Sequence, residues 1–183
     1  WKELGSQLVQ RPLPELSDVD TKAYLRHFGL SDPAALQRIY EYTGGYPLLL
    51  VLVCDLAREV GGWDALGTLE NKGDQLSIAA DLLARILREE RAQEVRAFLE
   101  KGVVVDWFDA EIVSVVLDVS YDEGRIIYDK LRRHSFVERH PFGLKFHDVI
   151  KEILRKRLSD VERAAIRERV QAYHLSQSGR YGG

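Results

Sequence analysis

Two short segments of this 183-residue chain bring together residue types that can do chemistry. The first is Thr43-Gly44-Gly45-Tyr46-Pro47-Leu48. Paired glycines let a backbone come close to a neighbour, and a proline at the start of a helix sets a flat apolar ring beside unsatisfied amide groups. Such a corner can hold a purine, although local chemistry alone favours a plain helix–helix turn. The second is Phe146-His147-Asp148. A histidine directly before a helix can donate to a phosphate, because helix starts and imidazole N–H groups both favour negative charge. Taken alone it has a simpler reading, in which Asp148 is an ordinary N-cap and His147 a structural residue.

The elements that must position these segments are mostly helices. Ser17 followed by Asp20, with Leu16, Val19, Ala23, Tyr24 and Phe28 at helical spacing, predicts a helix over 18–28 that Gly29 stops. Ser31-Asp32-Pro33 opens a second, carried by Leu36, Ile39 and Tyr40 up to Gly44-Gly45. The third starts at Pro47 and is apolar on nearly every side in its first half, which predicts the central helix of its subdomain. The stretch 67–75 has the weakest hydrophobic periodicity and is the best boundary. Beyond it the pattern predicts one long helix over 78–101, a helix over 109–117, and a third with the capping box Ser120-Tyr121-Asp122-Glu123 and an apolar face of Ile126, Ile127 and Leu131. The period then changes to alternation, giving strands over 136–139 and 144–146 around the turn His140-Pro141-Phe142-Gly143. Asp148 is expected to cap a helix to Leu158, and Ser159 to Glu162 a capping box for a last helix over about 160–176. That last helix is expected to turn Val161, Ala164, Ala165, Val170 and Tyr173 to one side, and the tail 178–183 to be disordered.

The fold class expected is therefore mainly α: a helical bundle, then three helices plus a β-hairpin making a winged helix, then C-terminal helices. The chain is 45% hydrophobic and 30% charged with a net charge of -3, a soluble globular composition that excludes disorder and collagen-like repeats. A chain this long buries roughly 70% of its unfolded surface, so it needs no disulfide or metal staple. The single cysteine, Cys54, lies in an apolar run and reads as a buried hydrophobe in a reducing compartment. The longest apolar stretch, 46–54, falls far short of the ~20 residues of a membrane span, and no signal peptide is visible, so a cytoplasmic location is expected. The chain has no methionine and begins at Trp1 in mid-pattern, which suggests a piece of a longer protein.

Gly-Gly-Tyr-Pro-Leu in a helical subdomain, followed by a winged helix ending in Phe-His-Asp, resembles the carboxy-terminal half of the nucleotide-binding module of STAND-class signal-transduction ATPases. These are AAA+-related proteins that include the NB-ARC modules and many bacterial regulators. The family's Gly-x-Pro motif matches Gly45-Tyr46-Pro47, and its Met-His-Asp motif matches Phe146-His147-Asp148 with Phe in place of Met. Residues 11–17 look like the family's link from its nucleotide-binding core into the lid. The resemblance covers 11–158 and implies four parts: 1–12 as the end of the core or linker, 13–75 as the helical lid, 76–158 as the winged helix, and 159–183 as a linker helix and tail. It further implies that Pro47 packs against adenine, that His147 contacts the ADP β-phosphate, and that Asp148 holds the turn. ADP or ATP would bind through a core that also holds Mg2+. That core, a downstream sensor or repeat domain, and further copies in an active oligomer would be the partners, in signal transduction or transcription regulation.

No Gly-x-x-x-x-Gly-Lys-Ser/Thr phosphate loop occurs in the chain, so no ATP hydrolysis is expected of it alone. His-Glu-x-x-His, paired cysteines and Gly-x-Ser-x-Gly are also missing, and His27, His134, His140 and His174 have no ligand spacing. A DNA-binding winged helix is the competing reading. Against it, the helix starting at Tyr121 opens with Asp122 and Glu123, the turn Pro141-Phe142-Gly143 has no cation, and the chain is net acidic. Lys151, Arg155, Lys156 and Arg157, interleaved with Glu152 and Asp160, read as a solvated face. A pure protein-interaction module is the third reading.

Overall fold

Ser17 and Asp32 are N-caps that accept from backbone N–H groups of their own first turns, and they start α1 (Asp18–His27) and α2 (Pro33–Thr43). A computed structural model describes residues 14–67, 69 and 73–178. The expectations for 1–13, for residues 68 and 70–72 of the boundary stretch, and for 179–183 lie outside them. Among the described residues the protein is mainly helical, with nine α-helices and one two-stranded antiparallel sheet. None of these helices is long and apolar enough to cross a membrane.

Pro47 opens α3 (Pro47–Glu59), in which Leu48, Leu49, Leu50, Leu52, Val53, Cys54, Asp55, Leu56 and Ala57 are all buried. It is the central helix its sequence predicts, packed between α2 and α4 (Gln75–Glu89). Each fully buried leucine there contributes about 1.5–3 kcal/mol relative to an exposed one. Helix α4 packs on α3 and also on α8 (Asp148–Arg155), so the core runs through it from one half of the chain to the other.

The single helix expected over 78–101 is two helices, α4 and α5 (Gln93–Lys101), broken at 90–92. The break is made by Glu90, whose Oε1 accepts from the Ala92 N–H at 2.8 Å and so caps α5 from outside it. The Arg96 guanidinium also donates to the Glu90 carbonyl, satisfying the end of α4.

Helices α6 (Ala110–Leu117) and α7 (Tyr121–Leu131) form the tightest helix pair, and the capping box Ser120/Glu123 is present in full. The buried stripe of α7 is Gly124, Ile127 and Leu131, whereas Ile126 is 57% exposed and does not belong to the apolar face. Strands β1 (Val137–His140) and β2 (Gly143–Phe146) pair with Val137 opposite Phe146. Phe108 forms a bridge with Leu144, with N–H to carbonyl bonds of 2.8 Å in both directions. Gly143, at φ 146°, lets the hairpin approach this close, since a Cβ there would sit 2.4 Å from the Phe108 carbonyl oxygen. Phe98, Phe108 and Phe146 meet in the core with centroids 4.7 to 6.2 Å apart.

Two surface expectations change. Lys151 is buried rather than solvated, and its Nζ donates to Asp106 Oδ1 at 2.6 Å. In α9 (Asp160–Ser178) the packed residues are Ile166, Val170 and Tyr173, while Val161 is 80% exposed and Ala164 and Ala165 face solvent. A helix turns about 100° per residue, so Val161 and Val170 lie on opposite sides.

Candidate functional site

Three helix N-termini open on one cleft of 380 Å³ lined by Tyr46, Asp74, Gln75, Leu76, Ala79 and Val149. Tyr46 is the N-cap of α3, Asp74 the N-cap of α4, and Val149 the second residue of α8. Tyr46 belongs to the first of the two segments singled out for their chemistry, and Val149 directly follows the second, 103 positions further along; Gly45, Pro47, His147 and Asp148 are not among the residues that line the cleft. A larger cavity of 440 Å³, between Leu30, Ile39, Trp63 and Leu66, holds none of the candidate residues.

The first segment is built by backbone needs. Gly44 ends α2 in the left-handed region, with its N–H on the Tyr40 carbonyl. Gly45, at φ 74°, is held against the incoming chain: its carbonyl accepts from the Leu16 N–H at 2.8 Å, and a Cβ would lie 2.1 Å from the Leu16 carbonyl oxygen. Its glycine is required by that contact. Tyr46 and Pro47 are half-buried, and the Tyr46 side chain makes no capping bond. With proline supplying no N–H, the first turn of α3 turns the amides of Leu48 and Leu49 outward without a side-chain cap.

The second segment departs from expectation in one respect. His147, not Asp148, is the N-cap of α8, its Nδ1 accepting from the Val149 N–H at 3.3 Å. Asp148 is the first helical residue, exposed and without a hydrogen-bond partner among the described residues. The imidazole has the reach to return to the second amide, and this leaves the carboxylate one position inside the helix, where it still faces the positive end of the dipole. The cap has a chemical consequence. An Nδ1 that accepts a hydrogen bond carries no proton, so in the neutral ring the proton sits on Nε2, which becomes an N–H donor. Nε2 has no partner among the described residues.

Asp74 and Gln75, from the boundary stretch 67–75, and Leu76, just beyond it, are cleft residues that the sequence does not single out. The signal was present as Asp74 three residues before Ser77, a capping spacing: Asp74 Oδ1 accepts from the Ser77 N–H at 2.8 Å. That bond, with a second from the Ser77 side chain, holds the Asp74 carboxyl below its ordinary value. The cleft is therefore electrically mixed. Three positive helix ends favour an anion, and Asp74 places negative charge in the lining.

No protein-family model, no curated protein and no solved structure matches the chain. The chemistry of the cleft therefore carries any functional reading.

Proposed function

We propose that residues 14–158 act as the lid and winged helix of a STAND-type ATP/ADP switch. The observation that supports this reading is the meeting of Tyr46 and Val149 in one cleft: Tyr46 is the middle residue of the Gly45-Tyr46-Pro47 corner, and Val149 is the residue that follows Phe146-His147-Asp148. In this reading Pro47 and Tyr46 offer the apolar side for a purine, and His147 Nε2 donates to a diphosphate. The uncapped start of α3 and the N-terminus of α8 add their dipoles. Three helices, α5, α6 and α7, followed by the hairpin have the order of a winged helix, and the Phe108–Leu144 bridge ties the segment before α6 to the wing.

The residues present fit the nucleotide only in part. Donors and an apolar wall are supplied, but no lysine or arginine lines the cleft, and Asp74, which does, opposes a phosphate. Charge neutralisation, Mg2+ and hydrolysis then fall to a phosphate-loop core joined to this chain. Holding ADP between core, lid and wing keeps the resting state, and exchange for ATP frees the wing for oligomerisation.

A histidine bond to a charged phosphate is typically worth ~1.5–3 kcal/mol, which biases a two-state equilibrium about tenfold or more. In the chain joined to its core, His147→Ala should therefore speed the release of a fluorescent ADP analogue by about tenfold. An unchanged release rate in a folded variant overturns the reading, as does ATP turnover by the chain alone.

A further inference from the structure

At the C-terminal ends of α3 and α4, away from the cleft, the chain converges on a second chemistry, which the turn after α7 completes. Glu59 is the last residue of α3, Glu90 follows the end of α4, and His134 lies in the turn after α7. One ligand atom from each of the three lies within 4.8 Å of the others. Their spacing in sequence, 31 and 44 residues, has no motif; only the fold brings them together. We propose that Glu59, Glu90 and His134 form a binding site for one divalent cation of the zinc class.

Two further observations point to a cation rather than to a chance acidic cluster. The first is geometric. His134 Nε2 and Glu90 Oε2 are 3.2 Å apart, close to the edge of a tetrahedron around a metal with bonds of about 2.0–2.2 Å. His134 is 3% and Glu90 7% exposed, so both are held by packing, whereas Glu59, the third ligand, is half-buried. A water would complete the shell.

The second is charge. Glu90 is a buried carboxylate bonded only to the Ala92 N–H and to His134, and neither it nor Glu59 is paired with a lysine or arginine among the described residues. The nearby cation, Arg58, is half-exposed and committed to Asp55 and to the Arg133 carbonyl. Asp55 in turn is committed to Ser135. The C-terminal ends of α3, α4 and α7 add their negative poles. An uncompensated buried carboxylate is costly, and a divalent ion supplies the missing positive charge. Imidazole beside carboxylates selects the zinc class over magnesium or calcium.

The test uses the whole chain, stripped with a chelator and titrated with Zn2+ by calorimetry and with Co2+ by visible absorption. Expected are one saturable site per chain, cobalt d–d bands and a raised unfolding temperature. Glu59→Gln, at a half-exposed position that leaves the fold intact by circular dichroism, should weaken binding about tenfold or more. His134→Gln should abolish the cobalt bands, and His27→Ala should leave them unchanged. The proposal is overturned by the absence of saturable binding, by equal affinity in wild type and Glu59→Gln, or by a Mg2+ response equal to that of Zn2+. The first of these outcomes would make the His134–Glu90 contact a plain buried hydrogen bond.

Discussion

Asp106 and Lys151 form an asymmetric pair in which the lysine side chain is 11% and the aspartate 90% exposed. The bond from Lys151, then its charge, holds the Asp106 carboxyl below its ordinary value of 3.8. Its exposure means that solvent screens much of this, so the cost of losing the pair lies mainly in Lys151, a buried cation left without its partner. Asp106→Ala should lower unfolding free energy by roughly 1–3 kcal/mol at neutral pH, measured by urea titration. A carboxyl depressed in the folded state contributes stability that is present above its unfolded value and lost as pH falls through the folded one. The gap between wild type and Asp106→Ala should thus be constant near neutrality and close in acid below 3.8. A gap independent of pH would assign Lys151 another source of stabilisation. Lys151 was readable in principle: it stands on the same face as Ile150 and Leu154, which the spacing places inward. Reading its charge before its position sent it to the surface.

Helix starts were the most legible elements, because a cap is written within four consecutive residues. Ser120 and Glu123 exchange their bonds as the spacing predicts, the Glu123 N–H donating to Ser120 Oγ at 3.3 Å and the Ser120 N–H to Glu123 Oε2 at 2.9 Å. Ser120→Ala should cost about 0.5–2 kcal/mol in urea unfolding, and no loss would mean that packing of α7 on α6 alone sets this helix start. The break between α4 and α5 was illegible for the complementary reason. Glu90-Arg91-Ala92 contains no glycine or proline, and the cap comes from a glutamate that is itself buried against His134. The same applies to His147. Local spacing marked a cap at this point, but which of two neighbouring side chains bends back to the amide depends on reach, and the imidazole takes it.

Across the whole molecule the halves are joined by a polar clasp as well as by apolar packing. Asp55 of α3 is fully buried and accepts from the backbone N–H and the Oγ of Ser135, each at 2.8 Å, 80 residues away. Hydrogen bonds to a charged group are worth about 1.5–3 kcal/mol, so Ser135→Ala should lower stability by that order in a single cooperative transition. Two separate transitions in wild type would mean that the clasp does not couple the halves. Neither this clasp nor the cleft at residues 46, 74–76 and 149 was visible in the sequence, since both depend on how α4 lies between α3 and α8. That placement makes α4 a party wall. Cut the chain at residue 75 and one fragment leaves with the wall, one side of it stripped bare, while the other loses the surface its central helix leaned on. Neither room stands as built once the house is divided there.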